Sequence, residues 1–185
     1  MKEKNELLEW VKVLSVAILC AVGIRFFIMT PIVVNGASMM PTLEDGDKII
    51  INKIGPKLSD FDRFDIIVFK SPQGPNYVKR VIGVPGDHIE YIDDELFING
   101  KKFEEPYLAD YKEELLDSGT LTEDFRLEEY LGKMTVPEDS YFVLGDNRRK
   151  SNDSRYVDVG FIPKDVILGK AELVYWPFDH FDTVK

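Results

Sequence analysis

Two residues of this chain have the chemistry of a nucleophile and a base. Ser38 stands between small residues and a Met-Met-Pro run in the stretch NGASMMPTL. Lys79 lies in YVKRVIGVPGD, where strand alternation puts it on one face with Tyr77 and Val81. Apolar neighbours desolvate a lysine, which lowers its pKa and lets it act as a general base. The two residues are a candidate Ser-Lys dyad, provided that the fold brings together positions 41 residues apart.

Other kinds of catalytic site have less support in the sequence. A Ser-His-Asp triad needs a histidine, but His88 follows a Pro-Gly-Asp turn and His180 is in the C-terminal tail, where surface or structural roles are expected. The sequence has neither a cluster of metal-ligand residues nor a glycine-rich phosphate loop, so we expect no metal and no cofactor. The net charge of −10 argues against nucleic acid as a partner, since phosphate binding needs clustered Lys and Arg.

A further polar segment, GDNRRKSNDSR at 145–155, follows an apolar run. Its composition alone is that of a solvated surface loop. The alternative is a polar scaffold beside a catalytic site, in which charges and hydroxyls orient a base.

The elements that must position these residues begin with an apolar N-terminal segment. Residues 13–30 contain a single charge, Arg25, and are just long enough to span a membrane as a helix. Pro31 is expected to end that helix, because proline lacks a backbone N–H. A cleaved secretory signal would have a basic start, whereas the N-terminal lysines here are matched by glutamates, so we favour an uncleaved anchor. The single cysteine, Cys20, lies inside this segment and does not indicate the compartment.

After Pro31 the sequence alternates short β-like runs with turn residues, which is typical of an all-β domain. The runs are IVVNG, DKIIINK, DIIVFK, YVKRVIGV, HIEYI, ELFING, YFVLG and VILGKAELVYW. Asp-Gly, Pro-Gly-Asp and Asn-Gly turns separate several of them. The polar, acidic stretch at 107–132 interrupts this pattern and predicts an inserted lobe with a short helix near 111–117.

Together these motifs resemble the type I signal peptidases of bacteria. The N-terminal span, GASMMPTL, FDRFDIIVF, YVKRVIGVPGD and GDNRRKSNDSR occur in that family's order over nearly the whole chain, and the single span is similar to the Gram-positive form. The resemblance implies a mainly β fold, in which an N-terminal transmembrane helix precedes an extracytoplasmic antiparallel β catalytic domain with an inserted smaller lobe. It implies a single-pass protein of the cell membrane. Its parts would be a cytoplasmic N-terminus at 1–12, an anchor at 13–30, and a catalytic domain at 31–185 with an acidic lobe at about 101–138.

The resemblance also implies roles for individual residues. Ser38 falls on the family's nucleophile, Lys79 on its general base, and Ser151 on the serine that hydrogen-bonds this base. The supporting residues that hold the architecture of the site fall on Asp153 and Arg155. Because Arg80 is on the face opposite Lys79, we add the hypothesis that it forms a structural ion pair with Asp146.

The substrate side of the site is implied in the same way. The pocket-lining positions, all of which would also suit an ordinary core, fall on Ile32, Val34, Met39, Tyr77 and Val78. Gly36 stands where some family members have a serine that helps to bind the oxyanion. The oxyanion here would therefore rely on the Ser38 backbone N–H and a further donor.

The activity implied by the resemblance is the removal of N-terminal signal peptides from secretory preproteins with small residues at positions −1 and −3. The resemblance also implies that the reaction proceeds through an acyl-enzyme and that the protein contacts membrane lipid. Two alternatives stay open. A self-cleaving repressor-type protease also uses a Ser-Lys dyad, although it would need an N-terminal DNA-binding domain. A membrane-anchored β domain that binds a partner would catalyse nothing.

Overall fold

The computed structural model describes residues 3–27, 29–55, 59–71, 74–113, 115 and 119–184. The N-terminal segment forms helix α1 (Glu3–Phe27), whose side chains from 6 to 20 are all exposed. Searched over the described residues, the chain contains no helix that combines the length and apolarity needed to cross a membrane. Within the predicted anchor at 13–30, residue 28 and the side chain of Arg25 lie outside the described part of the chain.

The end of α1 differs from the prediction that the helix continues to Thr30. The helix ends at Phe27, and strand β1 (Met29–Val33) already includes Met29 and Thr30. These two residues pair with Asn52 and Ile51 of the next strand. Pro31 explains part of the difference, because it disfavours helical geometry in the residue before it and leaves that residue extended.

Most of the regular structure after α1 in the described chain lies in two antiparallel sheets, which confirms the prediction of a mainly β fold. The larger sheet has the order β1-β2-β11-β3-β4-β9-β10, with β12 paired to β11, and the smaller sheet has the order β7-β6-β5-β8. In chain order the strands after β1 are β2 (Lys48–Asn52), β3 (Ile66–Phe69), β4 (Tyr77–Gly83), β5 (Ile89–Ile92), β6 (Glu95–Ile98), β7 (Lys101–Phe103), β8 (Phe125–Arg126), β9 (Ser140–Leu144), β10 (Ile162–Pro163), β11 (Ile167–Trp176) and β12 (Asp182–Thr183).

The smaller sheet carries the two short helices α2 (Ala109–Glu113) and α3 (Leu127–Leu131) on its connections. The predicted lobe at about 101–138 contains both helices and two of the four strands, while β5 and β6 precede it in the chain. Of the helix predicted near 111–117, the first part lies in α2, and residues 114 and 116–118 lie outside the described residues.

Buried apolar side chains fix both sheets relative to the segment that carries Ser38. Val34, Met39 and Leu43, which flank Ser38, pack in one cluster with side chains of β2, β3 and β11. A second cluster joins the two sheets and packs Ile82 of β4 against Ile89 of β5. The sheets approach so closely at Gly83 that a Cβ there would lie 2.2 Å from the Ile89 side chain. The core therefore holds the Ser38 segment, β4 and the smaller sheet in one packed unit.

Candidate active site

Ser38 lies on the loop at 34–47 that joins β1 to β2. The base of this loop is closed by backbone hydrogen bonds from Val34 to Asp47 (2.8 Å) and from Gly46 to Val34 (3.0 Å). Met39, the neighbour of Ser38, is only 1% exposed and anchors the loop in the core. Buried apolar residues on either side of a short polar segment leave the serine little freedom, so Ser38 is presented from a rigid support.

Lys79 reaches Ser38 from the middle of the larger sheet. Its Nζ lies 2.6 Å from Ser38 Oγ and 3.1 Å from the carbonyl oxygen of Val78. The Tyr77 ring centroid is 5.2 Å from the same nitrogen. β4 is an interior strand with β3 and β9 as neighbours, and Lys79 is only 3% exposed. The strand pattern predicted a desolvated lysine, and the structure confirms it.

Burial lowers the pKa of Lys79 from 10.5 to about 8, and the negative charges of Asp153 and Asp146 oppose part of this effect. Taking a charged amine out of water disfavours its protonated form. With a pKa of about 8, about a tenth of the Lys79 amine is neutral at pH 7 and most of it above pH 9. Lys79 therefore meets both requirements of a general base, which are contact with the nucleophile and an accessible neutral form.

The polar segment at 145–155 is a scaffold beside Ser38 rather than a solvated loop. The backbone N–H of Asn147 donates to the Ser38 carbonyl (3.1 Å), and its side-chain amide donates to the Ala37 carbonyl (3.0 Å). A Cβ at Gly145 would lie 2.4 Å from the Ser38 carbonyl oxygen, so only glycine fits there. These contacts connect the backbone of Ser38 to the segment that follows β9.

Two buried ion pairs hold this scaffold, one between residues implied by the resemblance and one that strand alternation suggested. Asp153 accepts from the Gly145 N–H (3.1 Å) and from Arg155 Nε (2.8 Å). The hypothesised pair of Arg80 and Asp146 is present, with two hydrogen bonds of 2.9 and 2.7 Å and no exposure of either side chain.

The Arg80–Asp146 pair also contacts the Ser38 loop. Thr42 Oγ1 donates to Asp146 Oδ2 (2.5 Å), which links the Ser38 loop to the pair. Sequence reasoning missed Thr42 and Asn147. Their positions inside SMMPT and GDNR were the only available signal.

Ser151 differs from its expected role. It is 5% exposed, and its Oγ has no hydrogen-bond partner within the described part of the chain. The hydrogen bond predicted between Ser151 and Lys79 therefore does not form in this structure, where the lysine amine contacts Ser38 and Val78 instead. Ser151 Oγ and the Ser38 carbonyl oxygen both lie close to Gly145, at 2.2 and 2.4 Å from where its Cβ would be.

A small pocket of about 150 Å³ opens over the dyad. Four of the five predicted substrate-binding residues line it, and the fifth, Ile32, instead packs half-buried against the core beneath. Three asparagines that the sequence did not single out complete the rim. The full lining is Val34, Asn35, Ser38, Met39, Asn76, Tyr77, Val78, Lys79 and Asn152.

Comparisons with known proteins identify the family of this chain. The family model described as signal peptidase, peptidase S26, matches residues 7–176. Signal peptidase I of Bacillus caldolyticus is 51% identical to this chain over 166 residues, which cover 90% of each protein. Signal peptidase IB of Staphylococcus aureus is 41% identical over 182 residues, which cover 96% of this chain and 94% of that relative.

A solved structure resembles the chain as well. The crystal structure of a signal peptidase I from Enterococcus faecalis is 47% identical, with a TM-score of 0.57, and the match covers 60% of this chain and 97% of that one. The family match extends over both segments that carry Ser38 and Lys79. This chain therefore belongs to the signal peptidase family, peptidase S26.

Proposed function

We propose that this chain is a serine endopeptidase that removes N-terminal signal peptides from secretory preproteins, with Ser38 as nucleophile and Lys79 as general base. The observation that carries the proposal is the 2.6 Å contact between Ser38 Oγ and a lysine amine that burial makes partly neutral. Family membership supports the substrate class.

The reaction begins with neutral Lys79, which takes the proton from Ser38 Oγ as the oxygen attacks the scissile carbonyl. The tetrahedral intermediate collapses as the lysine ammonium gives that proton to the leaving amine. The signal peptide is then bound to Ser38 as an ester, and the mature protein departs. Lys79, neutral again, takes a proton from water, which attacks the ester, and the same proton returns to Ser38 Oγ as the signal peptide leaves.

The oxyanion of each intermediate needs hydrogen-bond donors near Ser38. Gly36 has no side-chain donor, and its backbone N–H already donates to Asp45 Oδ1 (2.7 Å). The proposal therefore assigns the oxyanion to the backbone N–H of Ser38, which the anchored loop holds in place. A donor that is fixed before the reaction stabilises the developing charge without a cost of reorganisation.

The ion pairs of the scaffold keep the base usable. Asp153 and Asp146 both raise the pKa of Lys79, so an unpaired carboxylate at either position would hold the amine in its protonated form. Arg155 and Arg80 neutralise the two carboxylates at hydrogen-bond distance. We assign these four residues to the support of the site.

The pocket supports a preference for small side chains at positions −1 and −3. Its volume of about 150 Å³ is below the roughly 300–1,000 Å³ of typical ligand pockets, and its floor is apolar, formed by Val34, Met39 and Val78. β1 is an edge strand of the larger sheet and leads directly into the Ser38 loop. An extended peptide can bind along this edge by adding a strand.

We further propose that α1 anchors the protein in the membrane, with residues 1–12 in the cytoplasm and the β domain outside. Apolar side chains of α1 within the proposed anchor are exposed to solvent, with Val13 and Leu14 each 63% and Leu19 71% exposed. A bilayer would cover them. Phe178 and Phe181, which follow β11 in the chain, are 75% and 59% exposed and are assigned to further lipid contacts in this proposal. An anchored enzyme meets membrane-inserted signal peptides at a raised effective concentration.

Cleavage of a preprotein with alanine at −1 and −3 tests the proposal. Wild type, Ser38→Ala and Lys79→Ala are compared in lipid vesicles, with folding checked by circular dichroism. The proposal expects cleavage at one bond by wild type alone. Equal cleavage by the three folded proteins, or none by wild type, would refute it and favour an anchored domain that binds without catalysis.

A further inference from the structure

Arg148 connects the smaller sheet to the segment that supports Ser38. Its side chain is completely buried, and Nε donates to the Gly145 carbonyl (3.1 Å) within the polar segment at 145–155. The rest of the guanidinium points towards the smaller sheet. There it donates to Glu105 (2.5 Å), to the Tyr91 hydroxyl (2.7 Å) and to Thr122 Oγ1 (3.1 Å).

Glu105 is the only carboxylate within hydrogen-bond reach of Arg148 among the described residues. Its side chain is 3% exposed, and it also accepts from the hydroxyls of Tyr91 (2.8 Å) and Tyr107 (2.7 Å). Burial alone would raise the pKa of Glu105. The charge of Arg148 and the hydrogen bonds from Arg148, Tyr107 and Tyr91 outweigh this effect, so the pKa is lowered. The pair is therefore charged and shielded from solvent, where each ion depends strongly on the other.

From Arg148 the contacts continue directly to the nucleophile. Asn147 precedes Arg148, and its backbone N–H and side-chain amide hold the carbonyls of Ser38 and Ala37. Arg155 Nη2 donates to the Arg148 carbonyl (2.6 Å), which joins the same backbone to the Asp153 pair. Arg148 is thus the immediate chain neighbour of Asn147, the residue that hydrogen-bonds to the backbone of Ser38.

We infer that Glu105 is a positioning residue of the active site, which acts through Arg148 to hold residues 145–148 against Ser38. The inference rests on the proposed function and gives the inserted lobe a part in it. Without the Glu105 charge, the buried guanidinium has no counterion and is driven towards water or another carboxylate, which displaces its backbone. A displacement of about 1 Å at a reacting group can lower a rate about 100-fold.

The test compares the full-length wild type with Glu105→Gln and with the control Glu104→Gln in preprotein cleavage. Glutamine keeps the shape of Glu105 and removes its charge, and Glu104 is the adjacent carboxylate with a side chain 83% exposed. We expect kcat to fall about 10- to 100-fold in Glu105→Gln with little change in KM, and both to stay at the wild-type level in Glu104→Gln. Cleavage is measured well below each melting temperature, so that a loss of stability alone does not lower kcat.

Hydrogen exchange gives a second readout that does not need catalysis. Peptides that span residues 145–150 should exchange faster in folded Glu105→Gln than in wild type or Glu104→Gln, because the Asn147 N–H loses its fixed partner. Unchanged exchange together with unchanged kcat would overturn the inference. Absence of cleavage by wild type would instead refute the proposed function, and the exchange result would still decide the role of Glu105.

Discussion

Replacing Lys79 by methionine should stabilise the protein while it abolishes activity. Methionine has a similar length and no charge, so it removes the cost of burying the amine. Burial lowers the pKa of Lys79 from 10.5 to about 8, which means that the folded state holds the proton less tightly than the unfolded state. At about 1.4 kcal/mol for each pKa unit, the cost to folding is about 3 kcal/mol at pH 7.

The pH dependence of this stabilisation distinguishes it from a general improvement in packing. Below pH 8 the cost is fully present, because the lysine is protonated in both the folded and the unfolded state and burial destabilises its charged form. It falls to about 2 kcal/mol at pH 9 and to about 0.4 kcal/mol at pH 10.5, where the unfolded lysine also loses its proton. The advantage of Lys79→Met over wild type should shrink accordingly.

Urea unfolding of the full chain in mild detergent, followed by circular dichroism, measures the difference between wild type and Lys79→Met at each pH. Using the difference cancels the other groups that titrate in this range. Lys79→Arg, which keeps a charge at every pH, is the matched control and should be no more stable than wild type. A stability difference that is constant from pH 7 to 10.5, or a methionine variant less stable than wild type at pH 7, would refute the reasoning.

Two further predictions concern the scaffold around the dyad. Arg80→Met leaves the buried carboxylate of Asp146 without its partner and should lower the free energy of unfolding by about 3–5 kcal/mol. The control Arg63→Met breaks an ion pair whose arginine is 34% exposed and should lower it by about 1 kcal/mol or less. Equal losses of the two variants in urea unfolding would contradict this prediction. Gly145→Ala places a Cβ 2.4 Å from the Ser38 carbonyl oxygen and should lower kcat about 100-fold. The control Gly100→Ala, at a glycine with φ +74° and no atom within 4 Å of the added Cβ, should lower the free energy of unfolding by about 1 kcal/mol and leave kcat unchanged.

The local pattern around Lys79 is sufficient to predict its burial. Strand alternation and apolar neighbours on the same face indicate a desolvated amine, and in the structure Lys79 is only 3% exposed. The same pattern does not show which hydroxyl the amine meets. That contact depends on the packing of Met39 and Leu43, which places the Ser38 loop above β4.

A local sequence pattern cannot predict contacts between distant segments of the chain. Thr42 meets Asp146 across 104 residues, and Asn147 meets Ala37 across 110 residues, and nothing in either segment distinguishes these polar side chains from their neighbours. Ser151 illustrates the reverse, because its motif implies a hydrogen bond to Lys79 that this geometry does not contain.

Competition between elements explains the difference at the end of α1. Residues 13–30 are mostly apolar, with Arg25 as the only charge, which is why the sequence predicts a helix that continues to Thr30. Pairing of Met29 and Thr30 with β2 supplies hydrogen bonds that the last helical turn would lack before a proline. Tertiary pairing therefore decides the boundary over local propensity.

The pH dependence of kcat/KM for preprotein cleavage tests the central claim most directly, because its acidic limb reports the essential base of the free enzyme. With Lys79 as that base, kcat/KM should rise tenfold for each pH unit below about pH 8 and level off above it. A limb near pH 6.5, as a histidine base gives, or a rate that stays constant from pH 6 to 9 would contradict the account.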